Sequence, residues 1–378
     1  MTRKSRSLIV KFTLLSALAL VSCGKTQEPP AGGRIAIPPA LESVFDGYSP
    51  VRPLPFQFAP LLPYSRARDL EVLLFSSGST AFQGVLMPAR YIPLVAAWAA
   101  PFDVPLPASV RPDVAESVGG REAPLCLPVT MDCGVLVVRE DLWRELGLAP
   151  PVSIAALREC AMAFQCRRGQ RDVIDSDLPP DELFWDLAWS FEGAADPRLY
   201  SFSKVHALRF IQEFGLGQKL AGALDPEEDL RSGETAALFT SMDRAAALCR
   251  ADPRLKMWPM PSGKGPAVVL YTGWCLAQTQ ASPAKDEALA ELLDPSFQDY
   301  LSRKGFLPAA VPPAGEPVSV RTALEGTVFH GAPMLGASGD EIVSEGLLDA
   351  TQGGMSAEEA LRRAAARLQA RASQGDGS

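Results

Sequence analysis

Apolar residues along the chain fall into two spacings. Short runs of strand length occur at "RIAI" (Arg34–Ile37), "PLPFQFAP" (Pro53–Pro60), "DLEVLLFSS" (Asp69–Ser77), Leu125–Val129 and Val135–Val138. Each is bounded by Gly, Pro, Ser or Asp, as strands ended by turns are. Helical spacing appears at Leu41, Val44 and Phe45. It recurs at Leu142, Leu146 and Leu148, where Pro150 and Pro151 supply a stop. Ser153 is an N-cap residue for a helix whose apolar face is Ile154, Leu157, Cys160, Ala161 and Phe164. "PPDELFWDLAWSFEG" and "SKVHALRFIQEFGLG" read as helices with glycine stops at Gly193 and Gly215. "RSGETAALFTSMDRAAAL" reads as turn, strand and helix, and "AKDEALAELLDPSFQDYLSRKGFLP" as two helices split at Pro295. "SAEEALRRAAARLQAR" is a helix opened by a Ser356/Glu359 capping box. Strands alternating with helices predict an α/β fold with mainly parallel sheets.

The N-terminus departs from this pattern. Arg3, Lys4 and Arg6 precede an apolar run, Phe12–Val21, that is too short to span a bilayer and has the form of a signal peptide. It ends in Leu20-Val21-Ser22-Cys23, which resembles the bacterial lipobox, with Cys23 as the lipidated residue. Residues 1–22 are expected to be removed, and the polar, Pro/Gly-rich residues 23–33 to form a tether. The remaining 356 of 378 residues suffice for two cores. Loss of the four cations ahead of Cys23 takes the formal charge from −8 to −12. An acidic chain without a basic patch excludes nucleic acid as the expected partner.

Six further cysteines lack a C-x-x-C spacing, and only His206 and His330 accompany them, so no metal centre or other cofactor is expected. Export permits disulfides but fixes no pairing. Most of these thiols are expected to act as small buried apolar groups. Enzymatic signatures are missing: there is no G-x-S-x-G elbow and no P-loop. "GLGQKLAG" has Leu220 where a dinucleotide loop needs glycine.

Four segments, in order, resemble the extracellular solute-binding proteins of ABC importers, in the maltose-binding-like family. They are "PLCLPVTMDCGVLVVREDLWRELGLAPPVSIAALRECAMAF", "RSGETAALFTSMDRAAAL", "VLYTGWCLAQTQASPAKDEALAELLDPSFQDYLSRKGFLPA" and "GGMSAEEALRRAAARLQAR". Together they cover about half the chain beyond Cys23. The usual Tyr-Asn of the family is Val138-Arg139 here, and "FHGAPMLGASGD" lacks late aromatics.

The resemblance implies a two-lobe periplasmic-binding-protein-like fold with hinge crossings. Lobe one would hold 34–130 plus 273–325, and lobe two 131–272 plus 326–378. It implies a small-molecule ligand, a carbohydrate before others, held between the lobes and delivered to ABC permease subunits. The lipid anchor would hold the protein to a membrane, and no reaction would be catalysed. "YTGW" then becomes a crossing, with Gly273 giving backbone freedom and Trp274 offering a ring to a sugar face. Further ligand candidates are Asp132, Asp243, Trp185 and Ser77, the last with Gly78 and Ser79 after a strand. The competing reading keeps the fold but makes the protein a surface lipoprotein that binds a macromolecule or serves a structural role.

Overall fold

The computed structural model describes residues 33–48, 56–60, 67–149, 151–170, 172–216, 225–263, 265–280, 290–310, 318–333, 335 and 339–375. The expected signal peptide and Cys23 lie outside these residues, as does all of the expected tether but Gly33.

The strands among the described residues are β1 (Arg34–Ile37), β2 (Gln57–Pro60), β3 (Gly84–Pro88), β4 (Ala99–Ala100), β5 (Cys126–Pro128), β6 (Gly134–Arg139), β7 (Ile174–Ser176), β8 (Ala237–Ser241), β9 (Leu255–Trp258), β10 (Ala267–Leu270), β11 (Trp274–Thr279) and β12 (Thr327–His330). A first sheet runs β2-β1-β3-β11-β4, with β5 also paired to β11. A second runs β7-β8-β6-β9, and β10 pairs with β12 beside it. The helices used below are α1 (Glu42–Asp46), α2 (Ala67–Ser76), α3 (Pro112–Ser117), α4 (Glu140–Glu145), α5 (Ile154–Arg168), α6 (Pro180–Glu192), α7 (Phe202–Phe214), α8 (Met242–Ala251), α9 (Pro295–Arg303), α10 (Val318–Glu325), α11 (Gly339–Thr351) and α12 (Ala357–Gly375).

The fold is mixed α/β with two principal sheets, as expected, and antiparallel pairs stand beside the parallel ones. β1 pairs in parallel with β2 and β3, but β11 runs antiparallel to β3, β4 and β5. β6 runs antiparallel to both β8 and β9. The reason is topological: β11 enters the first sheet from β10, and β6 enters the second from β5, each against its neighbours. Strands β3 and β6 are buried at every position, which is why they read as continuous apolar runs rather than alternations.

Local capping chemistry sets many of the boundaries. Ser153 Oγ accepts the Ala156 N–H at 3.1 Å and starts α5. Gly193 and Gly215 end α6 and α7 with φ of 70° and 63°, values that favour glycine. Ser356 Oγ accepts the Glu359 N–H at 3.3 Å at the head of α12. Two expectations need correction. Helix α4 ends at Glu145, before a turn in which Gly147 has φ 65°, not at the prolines. The stretch "DLEVLLFSS" is helical, within α2, because a short apolar run satisfies either period and here Leu74 and Phe75 reach the core.

Further contacts tie helices to the strands. Arg111 holds Asp113 through two bonds of 3.0 and 2.8 Å and donates to the carbonyls of Leu324 and Thr327. The Phe329 N–H donates to Asp113 at 3.0 Å, so α3 is pinned along β12. Helix α10 packs on β9.

Two stability effects are expected. Ser153→Ala should cost about 1 kcal/mol through the lost cap, and Leu238→Ala, at a position 0% exposed, about 2–5 kcal/mol. Urea denaturation of the two variants beside the parent checks the order.

Candidate functional site

Two chain crossings run side by side between the sheets. The first is Val129 to Cys133, between β5 and β6; the second is Tyr271 to Gly273, between β10 and β11. They are hydrogen-bonded to each other. The Thr272 N–H donates to the Asp132 carbonyl at 2.9 Å, and the Tyr271 hydroxyl to the Thr130 carbonyl at 2.7 Å. The Trp274 N–H donates to Thr130 Oγ1 at 2.9 Å, while its carbonyl accepts from Val129 N at 2.8 Å.

Gly273 is buried at this contact for a reason other than backbone freedom. It is not among the residues with positive φ. A Cβ there would lie 2.1 Å from the Thr130 carbonyl oxygen, a main-chain atom that cannot swing aside. Its own carbonyl accepts the Ala89 N–H at 2.8 Å. Trp274 follows on β11, opposite Pro88 of β3. It is partly buried and borders a small apolar gap, about large enough for one water molecule, with Leu41, Phe45, Leu86, Val129 and Phe306. Part of the indole packs on the core and part faces outward.

Asp132 and Asp243 are brought together at the hinge. Asp132 Oδ1 accepts from the backbone N–H groups of Cys133 at 3.0 Å and Asp243 at 3.2 Å. It thus meets the first turn of α8, where a carboxylate suits the exposed N–H groups. Burial raises its carboxyl to about 6, against the lowering effect of those donors. Asp243 Oδ1 accepts the Leu307 N–H at 2.9 Å, and the Leu307 carbonyl accepts Met131 N at 2.7 Å. Both aspartates therefore fasten main chain to main chain across the crossings.

The other candidates lie apart. Trp185 is 4% exposed and packs inside the second lobe, with Phe184 and Trp189 at ring-centre distances of 5.2 and 5.5 Å. Lys204 Nζ stands over its ring at 5.7 Å. Ser77 is exposed beyond the end of α2 and donates to the Leu74 carbonyl. It precedes β3, whose far end reaches Trp274, so a strand of five residues, roughly 3.3 Å each, separates the two. Gly78 and Ser79 follow it in the same turn.

Sequence reasoning missed an acid–base junction between the turn after β3 and α6. Arg90 lies on a 3-10 turn (Ala89–Tyr91) directly after β3. Its Nη1 donates to Glu182 Oε2 of α6 at 3.2 Å and stands 3.9 Å from Asp181; Nη2 donates to the Tyr91 hydroxyl at 3.0 Å. Glu182 is 6% exposed, and burial pushes its carboxyl up to about 7 despite Arg90. One turn on, Asp186 is fully buried and also pushed up by burial. Its Oδ1 accepts the Leu270 N–H at 2.6 Å, whereas Oδ2 makes no hydrogen bond and lies against Gly134. A signal existed: Glu182 and Asp186 sit four apart in "DELFWDLAW", so two acids share one face of an otherwise apolar helix.

Among the described residues no group of three His, Cys, Asp or Glu side chains is placed to hold a metal ion. Cys126, Cys133, Cys160, Cys249 and Cys275 are buried free thiols and Cys166 is exposed. Among the described residues no helix is long and apolar enough to cross a membrane.

Gly273→Ala is expected to destabilise the protein by about 1–3 kcal/mol, since the added methyl overpacks against main chain. Trp274→Ala, at a half-buried position, should cost less. Chemical denaturation of both variants tests the order, and a neutral Gly273→Ala would contradict the close approach.

No family model and no curated protein matches the chain. Solved structures do. The sugar-binding protein MalE from Xanthomonas citri is 17% identical with a TM-score of 0.72, over 92% of this chain and 99% of that one. The GacH receptor of Streptomyces glaucescens, solved unliganded and with acarbose, is 17% identical with a TM-score of 0.67, over 89% and 98%. UgpB from Mycobacterium tuberculosis, solved with glycerophosphocholine, is 18% identical with a TM-score of 0.65, over 84% and 91%. The chain has the periplasmic-binding-protein fold seen in MalE-like proteins.

Proposed function

We propose that the protein is a solute receptor of the bacterial cell envelope, anchored to a membrane through a lipid on Cys23, that captures a small polar ligand between two lobes for an ABC importer. Lobe one would comprise 34–130 and the segment from 273 onward. Lobe two would comprise 131–272 and the C-terminal part, with α10 counted in it because it packs on β9. The observation that carries the reading is the pair of hydrogen-bonded crossings, at whose edge Trp274 is partly buried rather than fully enclosed. Such a ring stacks on the apolar face of a sugar, while its N–H remains a donor. Closure of the lobes would then exclude water around the ligand. The structurally similar proteins that bind maltose, acarbose and mannobiose favour a carbohydrate. The one bound to glycerophosphocholine keeps other small polyol compounds in the screen. The reading requires no bond to be made or broken.

A second reading, a surface lipoprotein that docks a macromolecule, draws on the second lobe. There Phe202 is 80% exposed, close to His206, and Tyr200 is partly exposed beside Glu358 and Arg362.

Thermal-shift measurement against monosaccharides, oligosaccharides, polyols, glycerophosphodiesters and amino acids separates the readings. Cys23→Ser protein would be used, with Trp274→Ala beside it. A ligand at 100 times its Kd adds about 2.7 kcal/mol of stability. The expected result is a stabilising carbohydrate whose effect is lost in Trp274→Ala. Well-folded protein that responds to none of these compounds would favour the second reading.

A further inference from the structure

Two thiols meet on one face of the first sheet. Cys126 opens β5, and Cys275 follows Trp274 on β11. The two strands run antiparallel, with Cys126 opposite Ala277 and Cys275 opposite Pro128. Residues two apart on a strand share a face, so the two cysteines are diagonal neighbours on the same side. Both are free thiols and 0% exposed, and their side chains are in contact. Cys275 Sγ also lies 3.6 Å from the Tyr271 hydroxyl, which donates to the Thr130 carbonyl. The other buried or exposed cysteines have different neighbours. Cys133 faces Asp132 and Asp186, and Cys249 lies beside Lys256 and Met257. Cys160 and Cys166 both belong to α5, at a spacing that turns them to different sides of the helix.

We propose that Cys126 and Cys275 are oxidised to a disulfide, a covalent staple between the strand that enters the first crossing and the strand that leaves the second. The inference rests on the export contained in the reading above, because thiol pairs stay reduced in the cytosol and are oxidised in the cell envelope. The oxidant is a protein disulfide of the envelope. One cysteine thiolate attacks a sulfur of that disulfide and forms a mixed disulfide. The second thiolate attacks the first cysteine's sulfur, the staple closes, and the oxidant leaves as a dithiol carrying both electrons and both protons. The exchange belongs to folding. In the finished fold both cysteines are closed off from solvent, and burial pushes the Cys126 thiol well above its ordinary range. A disulfide spans less than a flat diagonal does, so closing it draws β5 towards β11. β11 is the one strand that β5 pairs with among the described residues, so no other ladder resists the shift. The bond would close a loop holding residues 127–274, and a long loop restricts the unfolded chain most. It would also fasten the two crossings at one end, beside Trp274.

The test counts thiols in the full chain carrying Cys23→Ser and, at the exposed position, Cys166→Ser, which leaves five cysteines. The protein is refolded with a mixture of oxidised and reduced glutathione, then unfolded in iodoacetamide and weighed. It should take up three alkyl groups, and five once reduced. A digest should hold one reducible peptide pair, joining Cys126 to Cys275. Reduction should lower the urea midpoint of this protein and leave that of its Cys126→Ala variant unchanged. Five alkyl groups without reduction overturn the proposal, as does a linked pair other than Cys126–Cys275. The same count on protein harvested from the envelope of bacterial cells separates the pairing from the export. A staple found there supports both. A staple that forms in glutathione but is missing from the envelope protein would sink the export reading and leave the pairing standing. The thiol count stands even if Cys126→Ala fails to fold.

Discussion

The structure depends on the close passage of two main-chain segments, Thr130 to Asp132 and Tyr271 to Gly273. A side chain at 273 would occupy the space of the Thr130 carbonyl. Glycine there lets four hydrogen bonds form between the segments and the start of β11. Those bonds fix the direction in which β6 and β11 enter their sheets. That direction in turn makes both strands antiparallel to their neighbours and sets Trp274 against Pro88. Asp132 and Asp243 extend the same system by accepting backbone N–H groups of Cys133, Asp243 and Leu307. The crossings also carry core side chains, since Val129, Met131, Cys133 and Tyr271 are buried.

Charge is the second organising feature. Carboxyls gather at the crossings, and burial raises three of them: Asp132, Glu182 and Asp186. Buried carboxylates are costly unless paired and fully hydrogen-bonded. Arg90 supplies one pair, and Leu270 and Cys133 supply N–H donors.

Much of the fold was legible because it rests on local rules. Ser153, Ser356, Gly193 and Gly215 act through neighbours a few residues away, and their capping roles appear where the sequence puts them. The stretch before Ser77 was misread because six residues cannot distinguish a period of 2 from one of 3.6. The site was less legible. Position along the chain brought out Gly273, Asp132 and Asp243, but only coordinates show that backbone collision and main-chain hydrogen bonds occupy them. Arg90 and Glu182 are 92 residues apart and belong to different elements, so no spacing rule joins them. Trp185, a ligand candidate from the sequence, lies in the core beside Trp189.

Native mass spectrometry of the parent and Trp274→Ala proteins, each mixed with a pool of mono- and oligosaccharides, tests the central claim most directly. A two-lobe receptor should retain one small molecule from the pool per chain and lose it when Trp274 is truncated. Parent protein that remains folded and carries no adduct, or that keeps the same adduct without Trp274, would contradict a ligand held at the crossing between the lobes.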